Sequence, residues 1–89
     1  MKAIITVIGK DKVGILAMIA NECMKGNINI LDVSQTIVDG FFTMTMSTDF
    51  TNASETISQF ATHMEEFGKE KELVIRVMHQ DIFDSMHKI

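Results

Sequence analysis

The 89-residue sequence has no proline, tryptophan or tyrosine, and only one cysteine, Cys23. A single cysteine excludes an internal disulfide bond and is typical of proteins from a reducing compartment. Basic residues number 8 against 12 acidic ones, and the net charge of -4 argues against nucleic-acid binding, which needs clustered positive charge. No apolar run approaches the ~20 residues of a transmembrane helix, and no segment resembles a signal peptide. We therefore expect a cytoplasmic protein that binds neither nucleic acid nor membrane.

The first third of the sequence predicts a strand followed by a helix. Ala3–Ile8 is a short run of mostly β-branched apolar residues, which is typical of a buried strand. Asp11 is predicted to cap the helix that follows, and Gly26 is predicted to end it. The apolar face of this helix comprises residues that recur at helical spacing: Ile15, Leu16, Ile19, Ala20 and Cys23.

The Asp39–Gly40 pair is the strongest local signal, because both central residues of a type I′ hairpin turn need positive φ. A turn there pairs Val38 with Phe41 and Val33 with Met46. This register separates an apolar face from a polar one. The apolar face holds Leu31, Val33, Ile37, Phe42, Met44 and Met46, and the polar face holds Asp32, Ser34, Thr36, Thr43, Thr45 and Ser47.

The remaining sequence predicts a second helix and a last strand. Asn52 and Glu55 have the spacing of a capping box, an apolar stripe follows them, and Gly68 is predicted to end the helix. Leu73–Met78 has the composition of a strand. The resulting order, β-α-β-β-α-β, predicts an α+β ferredoxin-like fold with a four-stranded antiparallel sheet and two helices on one face.

The other face of this sheet would be left open, and it is too apolar to remain solvated. The C-terminal tail, residues 81–89, places apolar residues at helical spacing: Ile82, Phe83, Met86 and Ile89. We therefore expect residues 1–80 to form one domain. The tail is expected to be an apolar segment or short helix that packs on the sheet or on a partner subunit.

The segment Gly9–Leu16, GKDKVGIL, has the two glycines of a nucleotide-binding P-loop. A P-loop also needs Lys and Ser or Thr directly after the second glycine, whereas this sequence has Ile15 and Leu16 there, which argues against a nucleotide site. Gly14 still leaves backbone N–H groups at the positive end of the helix, where a carboxylate or a small phosphate can bind. The alternative is an ordinary capped turn, in which Gly14 only allows close packing.

No residue pattern indicates catalysis or metal binding. The sequence offers no nucleophile–base pair and no pair of carboxylates in a catalytic arrangement. His63, His79 and His87 lack the spacing of metal ligands, so we expect them to be solvated. Cys23 is predicted to pack in the core as a small apolar residue. We therefore expect a protein that is not an enzyme, with no catalytic residue, metal or cofactor.

The segment Thr6–Ile37 resembles the start of an ACT domain, a small regulatory module that binds amino acids. The matching features are Asp11-x-x-Gly14-Ile15-Leu16 after the first strand, the helix that follows, and GNINILDVSQ leading into the second strand. DGFFTMTM and the last strand continue the resemblance. The tail DIFDSMHKI is similar to the end of stand-alone, single-domain ACT proteins, and the front half is similar to the ACT modules of glycine-cleavage regulators.

The resemblance implies a homodimer in which an effector amino acid binds between two groups of residues, one from each subunit. The loop half comprises Asp11, Lys12, Val13, Gly14 and Ile15, and the facing half comprises Asn27, Asn29 and Ile30. Many family loops carry proline just before the glycine, where this sequence has Val13. The implied function is regulation of an unknown partner protein by a glycine-like or serine-like effector. The alternative is a structural or protein-interaction module with no small-molecule ligand.

Overall fold

The computed structural model describes residues 1–87, which form four strands and three helices in the predicted order. The strands are β1 (Lys2–Lys10), β2 (Asn29–Val38), β3 (Phe41–Asp49) and β4 (Leu73–His79), and the helices are α1 (Ile15–Lys25), α2 (Ile57–Lys71) and α3 (Gln80–Met86). The strands form one antiparallel sheet in the order β2-β3-β1-β4. The predicted ferredoxin-like fold with a short C-terminal helix is therefore confirmed. Ile89, predicted to belong to the apolar tail, lies outside the described residues.

The core lies between the sheet and helices α1 and α2. Alternation along β1 turns Ala3, Ile5 and Val7 toward the helices, and all three are fully buried. The same face of β3 and β4 and the inner sides of the helices supply the rest of the core, including Ile19, Cys23, Met44, Met46, Phe60, Met64 and Ile75. The predicted burial of Cys23 is confirmed.

The β2–β3 hairpin has the predicted register, with Val38 opposite Phe41 and Val33 opposite Met46. The two turn residues, Asp39–Gly40, have the positive φ values that this turn requires, 51° and 78°.

A β-bulge between Ile30 and Asp32 corrects one part of the predicted hairpin. The extra residue reverses the alternation of side chains beyond it. Ile30 therefore packs against the core, whereas Leu31, predicted on the core face, is 45% exposed. The pattern did not locate the bulge because Ile30 and Leu31 are both apolar.

The start of α1 differs from the prediction, because Asp11 does not cap it. The N-cap is Gly14, which has a φ of 89°, and no side chain in the described part of the chain caps the helix. Asp11 instead donates its backbone N–H to the carbonyl oxygen of Gly40 at 2.8 Å, and so joins the end of β1 to the hairpin turn.

Helix α2 begins and ends later than predicted. Its capping box is formed by Thr56 and Gln59, four residues beyond the predicted pair. The helix continues through Gly68, where it crosses β4. A Cβ atom at Gly68 would lie 2.6 Å from the carbonyl oxygen of Leu73 and 3.2 Å from Cγ1 of Ile75. Gly68 therefore permits a close approach of helix and strand rather than ending the helix.

Helix α3 folds back against β1 and β4 of its own chain. Ile4 and Ile8 both point to the sheet face opposite α1 and α2, yet Ile4 is 7% exposed and Ile8 is 47% exposed. Helix α3 therefore covers one end of this open face. Within residues 1–87, the other end remains uncovered and carries four exposed apolar residues, Ile8, Val38, Phe41 and Val74.

Candidate functional site

The loop half and the facing half lie at opposite ends of α1. The loop half follows β1, beside the hairpin turn, as the Asp11 hydrogen bond to Gly40 shows. The facing half lies where β2 begins, and Asn29 there is paired with Asp49 at the end of β3. Helix α1 has 11 residues, so ~16 Å of helix separates the two groups within one chain. A single chain therefore does not bring them into one pocket.

The loop half presents bare backbone at the start of α1. Gly14 has positive φ, which favours glycine, and no atom of residues 1–87, other than those of Gly14 and the residues next to it, lies within 4 Å of the position that a Cβ would occupy. Its carbonyl oxygen accepts the first helical hydrogen bond, from the N–H of Met18 at 2.9 Å. Since no described side chain caps the helix, the first N–H groups of α1 are open to a ligand that carries negative charge.

The other loop residues have separate roles. Lys12 extends its Nζ to the carbonyl oxygen of Lys71, so it ties the loop to the end of α2. The side chain of Val13 is fully exposed. Ile15 is buried in the core and anchors the start of α1, which leaves only its backbone available to a ligand.

The facing half opens into a cleft of about 570 Å³. It is lined by Ala20, Met24, Asn27, Ile28, Asn29, Ile30, Asp49, Thr51 and Asn52. Asn27 has a φ of 57° and donates its side-chain amide to the carbonyl oxygen of Asn52 at 2.7 Å. Asn27 therefore holds the segment after β3 against the end of α1, while the side chain of Asn29 remains exposed.

Asp49 and Thr51 were missed by sequence reasoning. The hairpin register that fits the turn, continued without interruption, would place Asn29 opposite Phe50. The bulge shifts the pairing by one residue, so Asn29 faces Asp49.

Asp49 supplies the negative charge of the cleft. Its Oδ1 accepts hydrogen bonds from the hydroxyl and the N–H of Thr51, at 2.6 and 2.9 Å, and lies 3.8 Å from the α-ammonium group of Met1. The side-chain and backbone hydrogen bonds from Thr51 lower the pKa of Asp49 below its ordinary value. The carboxylate is therefore ionised at neutral pH.

Comparison with known proteins identifies the family. The sequence profile of the ACT domain family matches residues 2–78. The chain belongs to the ACT domain family. This ACT domain is 49% identical to a UPF0237 protein of Clostridium perfringens over the full length of both chains. No catalytic family is indicated.

Two solved structures resemble this ACT domain closely. An ACT domain protein from Streptococcus pneumoniae superimposes with a TM-score of 0.82 at 36% identity, over 94% of each chain. A protein described as a candidate transcriptional repressor of the glycine cleavage system superimposes with a TM-score of 0.75 at 21% identity, over 86% of this chain and 44% of that one, and this likeness shows the fold alone. Within residues 1–87, no helix is long and apolar enough to span a membrane.

One polar cluster of the ACT domain lies outside both halves. His63, expected to be solvated, bridges two carboxylates: its Nε2 lies 3.0 Å from Oε1 of Glu22, and its Nδ1 lies 3.4 Å from Oε1 of Glu55. The side chain of Glu22 is only 8% exposed and also contacts Nζ of Lys25 at 3.2 Å. This cluster ties the end of α1 to α2. In the described part of the chain, no group of three or more His, Cys, Asp or Glu side chains is arranged to hold a metal ion.

Cys23 is not a reactive thiol in this ACT domain. Burial, and secondly the charge of Glu22, raise the pKa of Cys23 from 9.0 to about 11. Since the thiolate is the nucleophile, this thiol is inert at neutral pH.

Proposed function

We propose that this ACT domain is a non-catalytic regulatory module that forms a homodimer and binds a small amino acid at the interface. The observation that carries the proposal is the position of the two half-sites, at opposite ends of α1 beside a free sheet edge. The effector is a glycine-like or serine-like amino acid, and its binding modulates a metabolic or regulatory partner protein in the cytoplasm.

Strand β2 provides the edge for dimerisation. It lies at the end of the sheet and has ten residues, and no strand of residues 1–87 pairs with its outer side. Leu31 and Ile37 on this strand are exposed, as are Leu16 and Met24 on the neighbouring helix α1. A long edge strand with exposed apolar residues favours pairing with another strand.

A two-fold axis beside β2 would unite the half-sites. Two copies of β2 that pair antiparallel place the start of one strand beside the end of the other. The start of β2 carries the facing half, and its end lies at the hairpin turn, beside the loop half. Each loop half then meets the partner's facing half, and the dimer contains two equivalent sites.

The chemistry of the two halves suits a small zwitterion. The first N–H groups of α1 are a binding site for a carboxylate, and the amide of Asn29 can donate to or accept from a polar group of the ligand. Glycine or serine is proposed as the effector by analogy with the ACT modules of glycine-cleavage regulators, which the front half of the sequence resembles.

The dimer is tested by placing like charges across the axis. Ser34 is exposed near the middle of β2, so Ser34→Glu would bring two carboxylates together in the dimer without disturbing the isolated fold. Multi-angle light scattering at micromolar concentration is expected to show a dimer for the wild type and a monomer for Ser34→Glu. Thr43→Glu, on the inner strand β3 and the same sheet face, is the control and should remain dimeric. A monomeric wild type would contradict the dimer directly.

The ligand is tested by thermal shift against the twenty amino acids. A ligand present at 100 times its Kd should stabilise the folded protein by ~2.7 kcal/mol. Gly14→Asp places negative charge where the ligand carboxylate would sit and is expected to abolish the shift. Gly14→Ala introduces the same backbone strain without the charge and should retain part of the thermal shift.

A second candidate function is a protein-interaction module with no small-molecule ligand. The exposed Ile8, Phe41 and Val74 at the uncovered end of the open face favour it. A dimer that is stabilised by none of the twenty amino acids at millimolar concentration would support this function and contradict effector binding.

A further inference from the structure

Among the residues that the structure describes, Asp49 is the one charged side chain that lines the cleft of the facing half. All its other lining residues are neutral, and four of them, Asn27, Asn29, Thr51 and Asn52, are polar. Its volume of about 570 Å³ is within the ~300–1,000 Å³ typical of small-molecule sites. A polar cleft with a single carboxylate can hold a cationic group and orient it.

The carboxylate of Asp49 is held in place before any ligand arrives. Thr51 donates both its hydroxyl and its N–H to Oδ1, which fixes the orientation of the side chain. These bonds also lower the pKa of Asp49, so its charge is present throughout the neutral range.

The chain itself shows that an α-ammonium group is compatible with this position. The N-terminal ammonium of Met1 lies 3.8 Å from Oδ1 of Asp49 and 3.5 Å from the hydroxyl of Thr51. This contact is long and solvent-exposed, so it contributes little to the stability of the fold. Among the described residues, Oδ2 of Asp49 has no hydrogen-bond donor, and it remains available to a ligand.

We propose that Asp49 is the ammonium-binding residue of the effector site, so that the site selects amino acids over carboxylic acids that lack the amine. This inference rests on the proposed function and adds to it the residue that recognises the second charge of the zwitterion. The partner's loop half binds the carboxylate, and Asp49 binds the ammonium. Thr51 acts as a positioning residue.

The two charges can be separated by using fragments of glycine. Glycinamide has the ammonium without the carboxylate, whereas glycolate and N-acetylglycine have the carboxylate without the ammonium. Calorimetric titration of the dimer with glycine and each fragment is expected to show that glycine binds at least tenfold more tightly than glycolate.

Two variants should then change the affinities for different fragments, one for those that carry the ammonium and the other for those that carry the carboxylate. Asp49→Asn is expected to weaken glycine and glycinamide at least tenfold and to leave glycolate and N-acetylglycine unchanged. Gly14→Asp should weaken the carboxylate-bearing fragments and leave glycinamide unchanged. Asp84→Asn is the matched control, since Asp84 is an exposed carboxylate of α3 that lies neither in the cleft nor on β2. If Asp49→Asn perturbs the fold, Thr51→Val provides a milder test. It is expected to cause a smaller loss of affinity, which is confined to glycine and glycinamide.

The outcomes distinguish this inference from the proposed function. If glycine binds and Asp49→Asn retains the preference for glycine over glycolate, Asp49 is not the ammonium site, while the proposed function stands. If the wild type binds none of the twenty amino acids, effector binding itself fails, and the inference fails with it.

Discussion

Replacement of Gly68 by alanine is expected to destabilise the fold, although alanine is the best helix former. Gly68 is buried within α2, and its missing side chain faces β4. A Cβ at this position would lie 2.6 Å from the carbonyl oxygen of Leu73, a separation that real Cβ atoms essentially never show. Because that oxygen belongs to the backbone of the strand, helix and strand must move apart to accept the methyl group.

Two opposing effects determine how much Gly68→Ala changes the free energy of unfolding. Alanine in place of glycine in a helix interior stabilises by ~1 kcal/mol, whereas overpacking a core costs ~1–3 kcal/mol. The added methyl group of Gly68→Ala would also lie 3.2 Å from Cγ1 of Ile75. We therefore expect the upper part of the overpacking range and a net loss of about 1–2 kcal/mol. For a domain of this size, that loss lowers the Tm by ~4–16 °C.

Urea denaturation followed by circular dichroism, at one fixed protein concentration, would measure this loss with an unchanged m-value. Thr62→Ala, on the exposed side of the same helix, is the control, since it raises helix propensity and adds no buried atom. Gly68→Val should lose more stability than Gly68→Ala, because it adds further atoms at the same contact. A Gly68→Ala protein as stable as the wild type, with the control unchanged or slightly stabilised, would refute the close packing of α2 on β4.

His63→Ala is expected to lower the free energy of unfolding by about 1–2 kcal/mol, because the buried carboxylate of Glu22 loses a partner. Arg76→Ala removes a contact of the same 3.0 Å length to the exposed Glu65 and should cost less than ~0.5 kcal/mol, so equal losses in urea melts would contradict the burial argument. For Cys23, with its pKa raised from 9.0 to about 11, a disulfide reagent at pH 8 should label the unfolded protein quickly and the native protein slowly, and rapid native labelling would exclude its burial. Stability should also fall as pH rises from 9 toward 11, because the unfolded thiol ionises first.

The parts of the fold that were predicted correctly depend on signals that several residues share. The Asp39–Gly40 turn and the alternation on both flanking strands agree on one register, so each confirms the other. The helix boundaries depended on single residues and were less reliable. Asn52 and Glu55 have the same spacing as Thr56 and Gln59, and only the packing of α2 in the folded chain decides between the two pairs.

Glycine is the residue whose role the sequence defines least. Gly14 and Gly68 both occur near predicted helix ends, yet one has positive φ at an N-cap and the other lies inside a helix against a strand. The difference depends on long-range contacts, which a local pattern does not contain.

The residues of the candidate site also depend on long-range contacts. The resemblance located the facing half around Asn29, but Asp49 joins it only through the pairing that the bulge creates.

The bulge in β2 also limits how copies of this chain can assemble. A strand that joins a regular edge can slide along it in steps of two residues, ~6.8 Å, and find an equivalent ladder at each step. The interruption between Ile30 and Asp32 removes that equivalence, because an incoming strand meets the bulge at a different position in each alignment. Natural sheets use such irregularities to prevent edge-to-edge fibre growth. The bulge therefore makes the edge of β2 selective, since the alignments that are open to an incoming strand are no longer equivalent to one another.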